Sequence, residues 1–293
     1  MRQLILLVFC VVQLFGFTRN QAEWTKQLDY RPDEIHPIRL QINFIPLVEV
    51  KVNDSPLWVK FDTGCSTGFS LTSAVEEMIT HNVTGTSKER NPDGSYRGET
   101  TLATIDSLEV FGDKFVPVET SFTDWRIFST LKFNGLLGLK YFEDKRVTLD
   151  YKTRKIGVSK RPFLYEENKD DAMAVVPLLE ATGSQADLIY VFGKVRGRPS
   201  VIYLDTGSSA SFIDPRVLDS TDIKKGKRHL LAENIDMSIG DMDFTVKQLR
   251  VQKQKREGAN FEYPQTVKLG SDVLRNFLIT IDKMTNRLML HKN

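Results

Sequence analysis

Apolar and polar residues alternate in short runs along most of this 293-residue chain, as in Ile38-Arg39-Leu40-Gln41-Ile42. A period of two sends successive side chains to opposite faces, so these runs predict half-buried β-strands. Turn-forming residues separate them, among them Asn53-Asp54 and Arg196-Gly197-Arg198. Helical periodicity is scarce. Its best candidate is Ser73 to Met78, where Ser73 and Glu76 have the spacing of a capping box. The N-terminus departs from alternation altogether. Arg2 precedes an unbroken apolar run from Leu4 to Val12, too short to span a bilayer comfortably. Residues 1–22 therefore read as a secretory signal peptide cut after Ala22, although Asn20 fits that cleavage site poorly. The expected location is exported: secreted, periplasmic or lumenal. The alternative is an uncleaved N-terminal membrane anchor.

The strand pattern also repeats. Laid without a gap over Val195 to Phe212 (VRGRPSVIYLDTGSSASF), Val52 to Phe69 (VNDSPLWVKFDTGCSTGF) brings Pro56 onto Pro199, Val59 onto Ile202, Phe61 onto Leu204 and Asp62 onto Asp205. Each copy reads as strand, tight turn, strand, then Asp-Thr-Gly. A second echo joins LGLKYFEDKRVTLDYKTRKI (137–156) to LGSDVLRNFLITIDKMTNRL (269–288). In both, a Gly (138, 270) precedes an Asp (150, 282) by 12 residues, and each predicts a short helical segment followed by a closing hairpin, with turns at Tyr151-Lys152 and Lys283-Met284. A looser third echo pairs IDSLEVFGDKF (105–115) with IDMSIGDMDF (235–244). Three signals recurring in one order indicate two β-rich lobes. The Pro- and charge-bearing stretch Ser159 to Ala172 is the connection between them. The expected domains are a lobe over 23–160, a linker over 161–174 and a lobe over 175–293.

Two matched Asp-Thr-Gly turns suit a chemistry that needs two carboxylates. Carboxylates a few ångströms apart cannot both ionise freely, so one proton is shared. The charged member can take a proton from water as it attacks a carbonyl, and the protonated member can donate to the carbonyl oxygen. Gly64 and Gly207 allow sharp turns that expose amides to the carboxylates. Thr63 and Thr206 carry hydroxyls able to brace one turn against the other. A pseudo-twofold relation would bring Asp62 and Asp205 face to face.

With FDTG, LDTG, the later Leu136-Leu137-Gly138 and the TLDY/TIDK closing hairpins, the chain resembles the bilobal aspartic peptidases of the pepsin/retropepsin superfamily, over about residues 38 to 293. The resemblance implies an all-β fold of two homologous β-barrel lobes with a peptide-binding cleft between them. It implies an aspartic-type endopeptidase acting on polypeptide, with Asp62 and Asp205 catalytic. Thr63, Gly64, Cys65, Thr206, Gly207 and Ser208 would support them, and no cofactor or metal would be needed. A flap is implied too. The interval from Gly64 to Gly138 is 74 positions and that from Gly207 to Gly270 is 63, so the first lobe carries 11 extra residues. Pro92-Asp93-Gly94-Ser95-Tyr96-Arg97-Gly98 lies in that interval, and Tyr96 is the candidate cover of the site. An ordinary surface loop is the competing reading of the segment.

Two departures stand out. The residue after the Gly is Cys65 in one copy and Ser208 in the other; family members often place there a hydroxyl that bonds the outer carboxylate oxygen. Cys is the weaker donor, so Asp62 is expected to be less stabilised as an anion and the working pH to move up from strongly acidic. Lys268 replaces an apolar residue before Leu269-Gly270.

Composition narrows the alternatives. Without Arg2 and Arg19, 38 basic residues face 38 acidic ones, which argues against a nucleic-acid partner. The short cluster Lys224, Lys225, Lys227 and Arg228 reads as a solvated loop. The four histidines are scattered, and neither they nor the cysteines have metal-ligand spacing. If the signal is removed, Cys10 leaves with it and Cys65 has no intramolecular partner. No histidine near it in sequence marks it as a nucleophile, and a small buried filler is the expected role. A monomer is expected, with membrane contact only through an uncleaved N-terminus. Two other classes compete. A catalytically inactive relative would bind peptide or protein in the same cleft. An actin-like phosphotransferase would use DTGCST and DTGSSAS as phosphate turns, but a strand and turn precede each copy here, no glycine-rich adenosine segment follows, and an exported chain is removed from cytosolic ATP.

Overall fold

A computed structural model describes residues 32–41, 44–90, 96–124, 132–161, 173–254 and 261–293. The expected signal peptide, nearly all of the linker and the segment 91–95 lie outside these residues. The protein is all-β, with 57% strand and 10% helix. Three sheets account for the strands: one of ten strands, one of seven and one of six.

The ten- and seven-stranded sheets are built from matching hairpins. In Pro46–Val52, Val48, Val50 and Val52 are buried while Glu49 and Lys51 face out, as strict alternation requires. The chain reverses at Asn53-Asp54, both with positive φ (46° and 66°), and returns as Ser55–Phe61. Asn and Asp tolerate this left-handed geometry, and a turn of that hand matches strand twist. Asn53 also anchors the turn: its amide nitrogen donates to Thr80 O, and its side-chain oxygen accepts from Ser107 N–H. The second copy repeats the hairpin as Ile189–Val195 and Arg198–Asp205 across Arg196-Gly197, with φ of 52° and 74°.

The neighbours repeat as well. Ser55–Phe61 lies parallel to Gly135–Leu137, with Phe61 opposite Leu137; Arg198–Asp205 lies parallel to Gln265–Gly270, with Leu204 opposite Leu269. All four of those side chains are buried, each contributing about 1.5–3 kcal/mol. The third echo is strand–turn–strand in both copies: Leu108–Val110 with Asp113–Phe115, and Leu230–Ile239 with Met242–Val251.

The six-stranded sheet joins the two halves, three strands from each. Its order is Glu34–Pro37, Lys155–Ser159, Arg146–Asp150, Phe277–Asp282, Arg287–Lys292, Met173–Pro177. At its centre the two closing hairpins pair antiparallel, with Thr148 opposite Thr280 and their hydroxyls 2.9 Å apart. These threonines correspond in the sequence repeat, so a pseudo-twofold axis passes between them. In the hairpin turns Asp150 accepts from Lys152 and Thr153 N–H, and Asp282 from Met284 and Thr285 N–H.

The segment Ser73–Met78 is a 3₁₀ helix, with Thr72 at its N-cap and no side-chain capping bond. The spacing of Ser73 and Glu76 suggests a capping box, but Ser73 lies inside the first turn rather than before it. The α-helix among the described residues is Ser271–Leu274.

Candidate active site

Alternation along Ser55–Phe61 buries Leu57, Val59 and Phe61, and leaves Trp58 and Lys60 on the opposite face. At Asp62 the chain leaves the strand; its N–H still donates to Leu137 O. Cys65 N–H then closes the turn onto Asp62 O at 2.9 Å, and Ser208 N–H closes the other onto Asp205 O at 3.1 Å.

The threonines tie the two turns together reciprocally. Thr63 N–H donates to Thr206 Oγ1 at 3.1 Å, and Thr206 N–H donates to Thr63 Oγ1 at 3.0 Å. Each hydroxyl passes its own proton across: Thr63 to Leu204 O at 2.8 Å, Thr206 to Phe61 O at 2.7 Å. Both side chains are buried, so four bonds cross the pseudo-twofold without competition from water.

That grip presses each carboxylate onto the opposite turn. A Cβ on Gly207 would stand 2.1 Å from Asp62 Cγ, and one on Gly64 would stand 2.5 Å from Tyr203 Oη and 2.8 Å from Asp205 Oδ1. Glycine is required at both positions by space. Gly64 N–H donates to Asp62 Oδ1 at 2.9 Å. Burial first, and the Asp62 charge second, push the Asp205 carboxyl up to about 6, against the opposing pull of Lys268 and Lys60.

Those two lysines stand directly against the carboxylates. Lys60 Nζ lies 3.0 Å from Asp62 Oδ2 and donates to Gly207 O at 3.1 Å. Lys268 Nζ lies 3.3 Å from Asp205 Oδ2 and 4.7 Å from the Phe212 ring centroid. Lys60 lies near the end of the strand, two residues before Asp62, and that spacing was the available signal. Tyr203 adds a buried phenol beneath Gly64, held protonated by burial and the two carboxylates.

Of the two residues that follow the glycines, Ser208 differs from expectation, and Cys65 is the buried filler expected of it. Ser208 Oγ donates to Ala210 O at 2.8 Å, so it is not directed at the outer carboxylate oxygen. Cys65 packs with Ile45, Leu47, Phe133 and Leu136, its Sγ 3.4 Å from Thr67 Oγ1. Burial and the nearby Asp62 charge push its thiol up to about 11, so it is no thiolate nucleophile at neutral pH. Beside Asp62 stands Lys60, a cation that the comparison of Cys65 with Ser208 leaves out of account.

Tyr96 opens the strand Tyr96–Ile105, which pairs with His81–Arg90, and is 60% exposed. This hairpin has ten residues in each strand, whereas its counterpart pairs only Ile223–Lys225 with the start of Leu230–Ile239. The extra length of the first half therefore falls here, with the tip outside the described residues. Neither Asp-Thr-Gly turn leads into a helix among the described residues, so neither offers the helix N-terminus of a phosphate-binding turn. Among those residues, no group of three or more His, Cys, Asp or Glu side chains is arranged for a metal ion. No helix there is long and apolar enough to cross a membrane. No protein-family model matches the chain, and no curated protein matches it.

Proposed function

We propose that this chain is an exported aspartic endopeptidase resembling the pepsin/retropepsin superfamily, and that Asp62 and Asp205 are its catalytic pair. One observation carries the reading: the reciprocal threonine bonds that set each carboxylate against the other turn's glycine. Two buried carboxylates held this way share a proton. The ionised member draws a proton from the attacking water, while the protonated member donates to the scissile carbonyl oxygen. The proton that Asp205 retains up to about pH 6 suits it to the donor role. The long hairpin ending near Tyr96 takes the place of a flap over an extended polypeptide.

A second reading, a non-catalytic relative that binds peptide, draws on the ammonium groups already paired with both carboxylates. Peptide-library cleavage read by mass spectrometry separates the two. The parent is expected to cleave below about pH 6 and to lose activity as pH rises through that value, because the donor proton is then lost. Asp62→Asn and Asp205→Asn should each lower kcat by about 10²–10⁴-fold. A statine-type analogue should inhibit the parent. Cleavage at the parent's rate in either Asn variant defeats the peptidase reading, and a folded parent that cleaves nothing at any pH favours the binding one.

A further inference from the structure

Each half of the molecule contributes one lysine to the carboxylate pair, from opposite strands of the same pairing. In the first half Lys60 lies opposite Leu136, in the parallel pair formed by Ser55–Phe61 and Gly135–Leu137. In the second, Tyr203 occupies the position of Lys60, and Lys268 that of Leu136; these two are again opposite each other. The cation has changed strand while keeping its rung. Lys60 meets Asp62 Oδ2 at 3.0 Å and Lys268 meets Asp205 Oδ2 at 3.3 Å. Both lysines are largely buried, with side chains 14% and 22% exposed. Strand alternation would have accommodated an apolar residue at either site.

We propose that Lys60 and Lys268 are positioning residues that set the pH range over which the carboxylate pair keeps its single proton. This rests on the peptidase reading for its effect on catalysis, though not for its effect on the carboxylates. When the pair loses that proton, the four-group cluster goes from a net positive charge to neutrality. Without the lysines, the same loss would leave two adjacent, uncompensated anions in a buried site. The lysines therefore ease the loss and confine the one-proton form to more acidic solution. The other groups facing the pair do not supply this charge. Tyr203 and Tyr151 are buried phenols that stay protonated, and the Cys65 thiol is neutral. Asp272, on the short helix behind Asp205, is engaged by the Ser211 N–H and hydroxyl. Lys60 has a further task, since its bond to Gly207 O ties the first strand to the second turn.

The test uses the full chain as Lys60→Met, Lys268→Met, Lys60→Arg and Lys268→Arg. Two readouts are taken across pH: kcat/KM for a cleaved peptide, and the ¹³Cγ titration of Asp62 and Asp205, assigned with the Asn variants. Each Met variant should move the alkaline limb and the carboxyl titration upward by about one pH unit. The Arg variants, which keep the charge, should leave both near the parent. If Lys60→Met does not fold, because it also loses the Gly207 bond, Lys268→Met still decides. Titrations in a Met variant that coincide with the parent overturn the proposal. A titration that moves in a protein that cleaves nothing upholds the role of the lysines and sinks the peptidase reading.

Discussion

Cys65 in the first turn packs among Ile45, Leu47, Phe133 and Leu136, whereas the second turn is held from behind by hydrogen bonds. There Ser211 donates its N–H and hydroxyl to Asp272 at 3.0 and 2.6 Å, and its Oγ accepts from Gly270 N–H. Ser271 donates to Thr206 O at 2.6 Å and meets the Tyr151 hydroxyl at 3.1 Å. The first half has Gly68, Lys140 and Leu139 at the positions of Ser211, Asp272 and Ser271. Across the pseudo-twofold the two halves remain alike: the Thr63–Thr206 bonds, the Thr148–Thr280 contact and the two glycines. Symmetry is kept where one half must meet the other, while the material behind each turn is free to be apolar or polar.

The largest effect that tests this comparison lies in the six-stranded sheet. Arg146 and its repeat equivalent, Leu278, are both buried, but Arg146 forms an ion pair with Asp282 at 3.3 Å with almost no exposure of either. Arg146→Met removes the countercharge from a buried carboxylate and should cost about 3–5 kcal/mol. Leu278→Met conserves volume and should cost less than about 1.5 kcal/mol. Urea midpoints of the two variants measure the contrast. Equal losses would mean that the ion pair is no more than packing.

Next come Thr63→Val and Thr206→Val. Each removes one hydroxyl that both donates to a buried carbonyl and accepts from a buried amide of the other half. Each should cost about 1–3 kcal/mol. If the crossing bonds are the symmetric part of the molecule, the two losses should match in the same urea titration. A loss confined to one variant would show that the asymmetric supports reach the grip itself.

Strands and duplication were legible because they rest on local signals: alternation, turn residues with positive φ, and glycines where only glycine fits. The grip was legible as a possibility, since Thr63 and Thr206 follow the two aspartates. The lysines were not, because a charged residue in a strand ordinarily reads as a solvated face, and only the neighbouring strand determines otherwise. Lys268 appeared as a blemish in the second motif; the structure sets it against Asp205. Ser208 misled for the opposite reason. Its identity suits a bond to the carboxylate, but its hydroxyl finds Ala210 O within its own turn, a choice that backbone geometry makes and residue type does not.

The smallest expected effect concerns the apolar turn. Cys65→Ser would make both turns read Asp-Thr-Gly-Ser-Ser, so it asks whether the first turn can accept the second turn's chemistry. The hydroxyl enters a pocket of Ile45, Leu47, Phe133 and Leu136 but finds Thr67 Oγ1 where the thiol did, 3.4 Å away. One retained partner offsets most of the cost of placing a hydroxyl among hydrocarbon, and the net change should stay within about 1 kcal/mol. In the parent, a thiol pushed up to about 11 and 6% exposed should alkylate with iodoacetamide at pH 8 far more slowly than in urea. Rapid labelling of the folded chain would mean that the first turn opens to solvent. The apolar packing would then be the weaker of the two supports, and the polar clamp behind Asp205 the one that holds the pair in place.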